Sequence, residues 1–496
     1  MVWAVTNLRA LFQIHHVSGV FFVSDVRSAS ARQRTPDARQ ITTVYFLLLV
    51  AAGIGFFIIR HFGEKLAAVP LISTPGAIAP GTPEQSHLLP QVLVALVVII
   101  SVARLLGFVC HRLGQPRVIG EVIAGIALGP SLFGRIAPDA MVFVFPSAVS
   151  PILGILAQLG VILYMFLVGL ELNSGLLRSR AHATVAISHA SIIGPFLLGA
   201  ALALTAYSRY APAGVPFTSF ALFLGVAMSI TAFPVLARIL TDLRLDKTEL
   251  GVIALSCAAA DDVTAWCLLA FVVGVTKADV YGALTTVLLA GCYIGVMFGV
   301  ARPLMMRCLA PLKNVELSVN VTAWVLVAVL SSAVLTEVIG IHAIFGAFLL
   351  GAVIPHDSHI ARSFRQKLED VVSILLLPAF FAYTGTRTQI GLLSTWSNWW
   401  FCSLIILVAT LGKFGGTLVA SRFTGLDWRT SASLGVLMNT RGLMELIVLN
   451  IGLDLGVISP TLFAMMVLMA LVTTIATTPV LRQLLPGNAS LPTENQ

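Results

Sequence analysis

Fourteen apolar segments constrain this chain more than any other feature. At about 20 apolar residues per membrane span, candidate helices fall near 41–60, 90–110, 118–136, 151–171, 183–207, 217–240, 250–275, 280–300, 318–337, 341–355, 371–386, 398–421, 430–452 and 460–481. Only 10% of the 496 residues are charged, whereas about 25% is usual in a soluble domain. We therefore predict an all-α polytopic membrane protein with about 13–14 transmembrane helices.

The positions of the basic residues predict the orientation. A net charge of +8 suggests an anionic partner such as nucleic acid, but the basic residues lie in short loops between apolar segments. With the N-terminus inside, one set of loops holds fifteen Lys and Arg and the other holds six, which are Arg60, Lys65, Arg135, Arg209, Lys277 and Arg387. The positive-inside rule then predicts a cell-membrane protein with both termini cytoplasmic, and no nucleic-acid binding.

The chain divides into four regions. We interpret residues 1–40 as a cytoplasmic arm that is disordered, with a targeting sequence or a mis-assigned start codon as alternatives. Residues 41–89 form an extra transmembrane helix and a Pro/Gly-rich linker, 90–482 the main membrane domain, and 483–496 a short cytoplasmic tail. The six cysteines show neither CxxC nor Cys/His metal spacing, so no cofactor or resident metal is expected.

A weak internal repeat indicates a transporter fold. The third and tenth spans share glycine spacing and a closing proline, at 120–130 and 340–355. The spans after them each end near a glycine, at 166–172 and 381–388. Helix-breaking residues follow two spans later, at 229–240 and 437–449. The two repeat units are spans three to seven and spans ten to fourteen. Each contains five helices, and an odd number of membrane crossings places the two copies in opposite orientations. Inverted repeats with paired discontinuous helices point to a secondary transporter with a midplane site, although such glycines and prolines also serve ordinary helix packing.

Two adjacent aspartates, Asp261 and Asp262, lie within the apolar segment 251–275. Each costs roughly 2.5–3.5 kcal/mol at a membrane centre on insertion scales. A salt-bridged pair that only holds helices together is one explanation. However, neighbouring helical residues point about 100° apart, which implies two roles: one carboxylate facing a cavity and alternating between a proton and a cation, the other facing a fixed positive charge.

Lys413 is the candidate for that fixed charge. It is the one charged residue of the apolar segment 401–420, in the third span of the second repeat. We predict that it pairs with Asp261 or Asp262, with extension of its side chain to the membrane interface as the alternative.

The two breaks carry the remaining candidate residues. In the first, Pro234 lacks a backbone donor and Thr231 offers a hydroxyl and a carbonyl for ion binding. The second contains a charged pair one helical turn apart, which we interpret as structural charge balance with direct gating as the alternative; its residues are Asn439, Thr440, Arg441 and Glu445.

Six motifs together resemble the monovalent cation:proton antiporter family, in the branch with plant cation/H⁺ exchangers and bacterial K⁺-efflux and Na⁺/H⁺ antiporters. They are GQPRVIGEVIAGIALGPSLFG at 114–134, FLVGLELN at 166–173, SITAFPVLARIL at 229–240, ALSCAAADDVTAW at 254–266, GIHAIFGAFLLG at 340–351 and MNTRGLMELIVLNIGL at 438–453. The resemblance extends from about residue 90 to 482.

The resemblance implies a homodimer in which each subunit has a dimerisation domain and a moving core domain, with two crossed discontinuous helices at the ion site. It assigns Asp262 as the ion and proton carrier, Asp261 as the partner of Lys413, and Thr231 to the helix break. Plant exchangers usually carry Asn before the aspartate and a long tail, unlike this chain, and the span at 41–60 gives fourteen helices where thirteen are common.

The resemblance implies exchange of Na⁺ or K⁺ for H⁺ by alternating access. Members with two aspartates and the lysine tend to be electrogenic Na⁺/H⁺ exchangers, whereas the surrounding motifs are closest to exchangers that often handle K⁺. A gated cation efflux channel is the alternative, although no loop like a selectivity filter is visible. An intramembrane aspartyl protease is not expected, because that chemistry needs two facing carboxylates, and the chain is not predicted to be an enzyme.

Overall fold

The computed structural model describes residues 38–66, 88–171, 181–277, 280–309, 319–355 and 358–485. Over these ranges the chain is helical, without β-strands. Twelve helices are long and apolar enough to cross a membrane, one further span is a helix pair bent by 43°, and one apolar helix is shorter. All fourteen predicted segments are helical, which confirms the all-α polytopic fold. Most of the predicted arm, part of the linker and the end of the tail lie outside the described residues.

The described residues of the first half of the chain form ten α-helices. They are α1 (Ala38–Gly63), α2 (Leu88–Arg112), α3 (Arg117–Leu128), the short α4 (Phe133–Ile136) and α5 (Pro138–Val144), α6 (Val149–Glu171), α7 (Ala181–Tyr210), α8 (Phe217–Ser229), α9 (Phe233–Asp242) and α10 (Glu249–Lys277). Helices α8 and α9 together form the sixth predicted span.

Ten more α-helices lie within the described ranges of the second half. They are α11 (Val280–Val296), α12 (Arg302–Leu309), α13 (Val319–Ile339), α14 (Ala343–Val353), α15 (His359–Val371), α16 (Leu377–Arg387), α17 (Trp396–Phe423), α18 (Trp428–Met438), α19 (Leu443–Asp454) and α20 (Pro460–Leu484). A π-helical turn joins α11 to α12 and another joins α15 to α16. Helices α18 and α19 are the bent pair.

Polar caps determine where three late helices begin. The side chains of Thr395, Asp427 and Ser459 accept backbone N–H groups from the first turns of α17, α18 and α20. Such caps replace the bonds that the first N–H groups of a helix lack.

Two predicted spans differ from the structure in length. The eleventh begins at residue 359 rather than 371, because Ser358 caps an amphipathic helix that continues into the apolar segment. The tenth, predicted at 341–355, is an 11-residue helix and therefore rises about 16 Å, roughly half the apolar thickness of a bilayer. Its counterpart α3 has 12 residues, so both repeats open with a short helix.

The two repeats pack through exchanged partners. Helix α3 packs on α16, α6 on α14, and α7 on α17. The first span of each copy therefore meets the second span of the other copy, and the two third spans meet each other. A Cβ at Gly385 would lie 1.9 Å from the Gly125 carbonyl oxygen, and one at Gly351 would lie 2.3 Å from the Phe166 carbonyl oxygen. Two copies related by a two-fold axis produce this exchange, as the inverted repeat predicts.

The helices also form two sets. Helices α7–α10 and α17–α20 pack together around the two breaks, whereas α2, α3, α6, α13, α14 and α16 pack with one another. We call these the core set and the scaffold set. Two small cavities of about 20 and 30 Å³ lie between them. The first is lined by α3, α19 and α20, and the second by α6, α14, α16 and α19.

Candidate functional site

Helix α10 carries the aspartate pair into the interior of the core set. Asp261 is fully buried and Asp262 is 1% exposed. Three alanines, Ala258 to Ala260, come directly before the pair in the sequence. Small residues of this kind allow neighbouring helices to approach α10 closely. The two carboxylates have opposite surroundings.

Four donors surround the Asp261 carboxylate. The Ser188 hydroxyl donates to Oδ1 at 2.6 Å. The hydroxyls of Ser191 and Thr231 lie 2.9 and 2.8 Å from Oδ2, and Lys413 Nζ lies 3.1 Å from the same oxygen. An ionised carboxylate offers about four acceptor positions. Three of the donors lie at Oδ2 and one at Oδ1, so Asp261 is well supplied with hydrogen bonds.

Lys413 contacts two acceptors at once. Besides Asp261, it donates to the Ser229 carbonyl oxygen at 2.5 Å, and its side chain is fully buried. Close packing of α17 on α7 brings it there, since a Cβ at Gly412 would lie 2.7 Å from the Cα of Pro195. The residues alone left both aspartates open and the family resemblance implied Asp261; the structure places Asp261 against the lysine.

Asp262 has no such partners. Both of its carboxylate oxygens are buried, and neither accepts a hydrogen bond from the described part of the chain. A buried polar group without a partner is expensive. A proton or a bound cation would supply the partner that these oxygens lack within the described residues.

The first break consists of extended residues between α8 and α9. The Ala232 N–H donates to the Thr440 carbonyl oxygen at 3.0 Å, which joins the first break to the second. Thr231 Oγ1 lies 3.2 Å from the Met438 carbonyl oxygen as well as close to Asp261. Pro234 lies in the first turn of α9, where its missing N–H costs no helical bond.

Arg441 covers the end of the helix that enters the first break. Its guanidinium donates to the carbonyl oxygens of Ala227 and Met228, at 3.2 and 2.7 Å, and to Glu445 Oε2 at 2.7 Å. Arg441 and Glu445 are both fully buried. Arg441, together with Lys413 at the Ser229 carbonyl oxygen, places two positive charges at the C-terminal end of α8, where the helix dipole is negative.

The second break also contains unsatisfied oxygens. Asn439 Oδ1 and Thr440 Oγ1 are buried without a hydrogen bond from the described residues. Gly442 lies against the first break, since a Cβ there would be 2.7 Å from Val235 Cγ2. Oxygens of this kind are the ligands that hard cations prefer.

Sequence reasoning missed Ser188, Ser191 and Thr474. The Thr474 hydroxyl donates to the Arg441 carbonyl oxygen at 2.7 Å and accepts the Arg441 N–H at 3.0 Å, which fixes the backbone of the second break. The spacing of Ser188 and Ser191, three residues apart and so on one helix face, was the available signal.

No group of three or more His, Cys, Asp and Glu residues suited to a metal ion occurs in the described ranges. The possible ligands at the breaks are oxygens from carboxylates, hydroxyls, an amide and backbone carbonyls. This set of oxygens suits a hard cation rather than a transition metal.

Known proteins match most of the chain. Na⁺/H⁺ antiporter NhaS4 of Synechocystis sp. is 46% identical over 402 residues, which cover 80% of this chain and 98% of the relative. Cation/H⁺ antiporter 17 of Arabidopsis thaliana is 40% identical over 428 residues, covering 85% and 52%. K⁺/H⁺ antiporter 1 of Saccharomyces cerevisiae is 35% identical over 402 residues, covering 79% and 46%. The chain spans about half the length of the plant and yeast relatives.

A solved structure shares the fold. The sodium proton antiporter MjNhaP1 from Methanocaldococcus jannaschii superposes with a TM-score of 0.57, covering 79% of this chain and 96% of that chain at 16% sequence identity. The profile described as "Sodium/hydrogen exchanger, transmembrane" matches residues 92–485. The resemblance found in the motifs is confirmed, and the chain belongs to the sodium/hydrogen exchanger family.

Proposed function

We propose that this multi-pass membrane protein exchanges a monovalent cation, Na⁺ or K⁺, for H⁺ across the cell membrane by alternating access. One observation carries the proposal: Asp262 is buried and neither of its carboxylate oxygens accepts a hydrogen bond from the described residues, beside an Asp261 that three hydroxyls and Lys413 contact. The names of the relatives support the same activity, since they are Na⁺/H⁺, cation/H⁺ and K⁺/H⁺ antiporters.

Asp262 carries either a proton or a cation. Both neutralise its charge in a buried site, so each can leave only when the other replaces it, and this competition is the exchange. Asn439 and Thr440 supply further oxygens to the cation together with the backbone of the breaks. The Asp261–Lys413 pair opens when the cation binds, since a second positive charge beside Lys413 raises the electrostatic energy there.

Alternating access arises from movement of the core set against the scaffold set. The small cavities on their boundary support this division, because they mark places where the packing between the two sets is interrupted. The protein acts as a homodimer held by the scaffold set, with both termini in the cytoplasm. The two aspartates and the lysine favour Na⁺ and more than one proton per cation.

The test is cation-driven collapse of a proton gradient in liposomes that contain the purified protein. We expect saturable exchange that drives the cation uphill, loss of exchange in Asp262→Asn, and no change in the matched variant Asp139→Asn, which alters an exposed residue of α5. Wild-type exchange in Asp262→Asn would refute the assignment, and flux without uphill movement would indicate a channel.

The same assay identifies the cation and the electrogenicity. Na⁺, K⁺ and Li⁺ are compared with and without a clamped membrane potential. An electrogenic cycle responds by about 2.3 kcal/mol per net charge per 100 mV, whereas insensitivity to voltage means one proton per cation.

A further inference from the structure

Arg387 crosses the boundary between the two helix sets. It is the last residue of α16 in the scaffold set, and its guanidinium contacts two residues of α19 in the core set. Nη2 donates to Asp454 Oδ1 at 2.5 Å, and Nη1 donates to Asn450 Oδ1 at 3.1 Å. The side chain of Arg387 is 21% exposed and that of Asp454 is 48% exposed, so this ion pair lies where the boundary reaches the surface.

A buried amide extends the connection inward from the ion pair. Asn450 is 6% exposed, and its Nδ2 donates to Thr384 Oγ1 of α16 at 2.8 Å and to the Leu446 carbonyl oxygen of its own helix at 2.9 Å. Displacement of α19 would separate this buried amide from its partners on α16, which is costly. We call Arg387, Asp454 and Asn450 the latch.

Tyr383 directs the latch arginine. The Arg387 guanidinium lies 5.2 Å from the centre of the Tyr383 ring, and Nη1 lies 3.4 Å from the tyrosine hydroxyl. A guanidinium is attracted to the face of an aromatic ring. Since Tyr383 and Arg387 share one helix, this contact orients the arginine without help from α19.

A weaker contact joins the two sets at the opposite end of the boundary. Gln115, in the turn between α2 and α3, donates from Nε2 to the Ile475 carbonyl oxygen of α20 at 3.1 Å. Both groups of this hydrogen bond are neutral, whereas hydrogen bonds from a guanidinium are roughly twice as strong. The contacts described for the two ends therefore favour a boundary that is held more firmly at Arg387.

The second cavity lies directly behind the latch. Tyr383, Asn450 and Asp454 line it, whereas the first cavity is lined by Gly442 and Leu446 at the other end of α19. Its volume of about 30 Å³ is enough for a water molecule. Release of the latch would therefore open a space that admits water to the surface at the end of α16.

Movement of the core set breaks the latch. An N–H···O hydrogen bond requires a donor–acceptor distance of up to about 3.2 Å, so sliding of α19 along α16 by a few ångström separates Arg387 from both of its partners. The latch can then form in one access state and not in the other.

We propose that the latch keeps the second cavity closed at the end of the bundle that the positive-inside rule predicts to face outside, and that its release accompanies access from that side. Arg387 and Asp454 act here as positioning residues of the transport cycle. The proposal rests on the alternating access proposed above and adds the residues that control it on one side.

The experiment measures the rate at which a maleimide labels single cysteines in the purified full-length protein in detergent micelles. One reporter is Ala157→Cys in the second cavity and the other is Ala470→Cys in the first, both at buried positions. The six native cysteines are replaced in both. Because labelling requires no transport, it tests the latch independently of the liposome assay.

We expect Arg387→Gln to speed labelling at the second cavity and not at the first. Loss of a partly exposed ion pair shifts an equilibrium by up to about fivefold, and loss of the charged donor to a buried amide adds to this. Labelling of Ala157→Cys should therefore become about five- to tenfold faster, whereas labelling of Ala470→Cys should stay constant or slow. Asp454→Asn should act in the same direction with a smaller effect, because it leaves the Asn450 bond in place.

Two further variants separate the ion pair from a general effect of the substitutions. Arg387→Asp/Asp454→Arg exchanges the two charges and should restore slow labelling of Ala157→Cys. Arg135→Gln removes an exposed arginine beside Gly391, at the same end of the bundle, and should leave both labelling rates unchanged.

Each outcome bears on the latch or on the transport function. Unchanged labelling of Ala157→Cys in Arg387→Gln, or faster labelling of both reporters, overturns the latch, the second result because it indicates a generally loosened fold. Failure of the charge-exchanged variant to restore slow labelling overturns the role of the ion pair. Absence of cation/proton exchange by the wild type in liposomes instead overturns the proposed function, whatever the labelling rates show.

Discussion

Replacing Lys413 by Met tests the ion pair at the centre of the core set. The substitution keeps the apolar stem and removes the charge, which leaves Asp261 and the Ser229 carbonyl oxygen without this donor. Breaking a buried ion pair on one side costs about 3–5 kcal/mol. Three hydroxyls remain around Asp261, so we expect about 3 kcal/mol.

The companion variant Asp261→Asn/Lys413→Met removes both charges and should recover much of that loss. A double-mutant cycle should return an interaction energy of about 2–3 kcal/mol. Unfolding of the purified protein in mixed micelles, followed by tryptophan fluorescence, measures the free energies, and Lys247→Met at an exposed loop position is the control. The pairing would be contradicted by a Lys413→Met variant that is as stable as the wild type, or by a double variant that is no more stable than Lys413→Met.

Three further predictions concern other parts of the fold. Arg441→Met should destabilise the protein more than Lys413→Met in the same unfolding assay, because it leaves the Glu445 carboxylate and two carbonyls without this donor; a milder effect would argue against the helix cap. Gly385→Ala should abolish folded expression, since its Cβ would lie 1.9 Å from the Gly125 carbonyl oxygen, whereas Gly415→Ala, with open space around it, should express normally. The Thr430 hydroxyl and backbone N–H groups hold the pKa of Asp427 below its usual value. The loss of stability in Asp427→Ala should therefore be complete above the unfolded-state pKa of about 3.9 and should shrink as pH falls through the lower folded-state pKa. A loss of stability that is independent of pH would contradict this.

Hydropathy predicted the helices well because a bilayer tolerates few other structures. The breaks at Thr231 and Asn439 were also visible, since proline, glycine and polar residues interrupt otherwise apolar segments there. The exact ends of α14 were not visible, because the predicted segment 341–355 exceeds the helix by only two residues at each end, which is within the usual uncertainty of helix boundaries. Its start after His342 depends on the turn at Gly340, which has a φ of +95°.

The charged residues of the candidate site were visible in the sequence itself, whereas their pairing was implied only by the family resemblance. Asp261, Asp262 and Lys413 stand out because charges are rare within spans. Which aspartate meets the lysine depends on how far α10 is rotated about its axis, and packing against α7 and α18 determines that rotation. Ser188 and Ser191 escaped notice because serine in a membrane helix ordinarily bonds to its own backbone, so its identity alone does not indicate a partner.

The exchanged crossings limit how the two halves of the chain can diverge. Gly125 of the first copy meets Gly385 of the second, and Gly351 of the second meets the α6 backbone of the first. Each contact therefore joins a residue of one copy to the backbone of the other, and a larger side chain at the contact would clash with that backbone. The loops and lipid-facing surfaces of the halves are free to drift apart over evolution, whereas these crossings must change together or remain as they are.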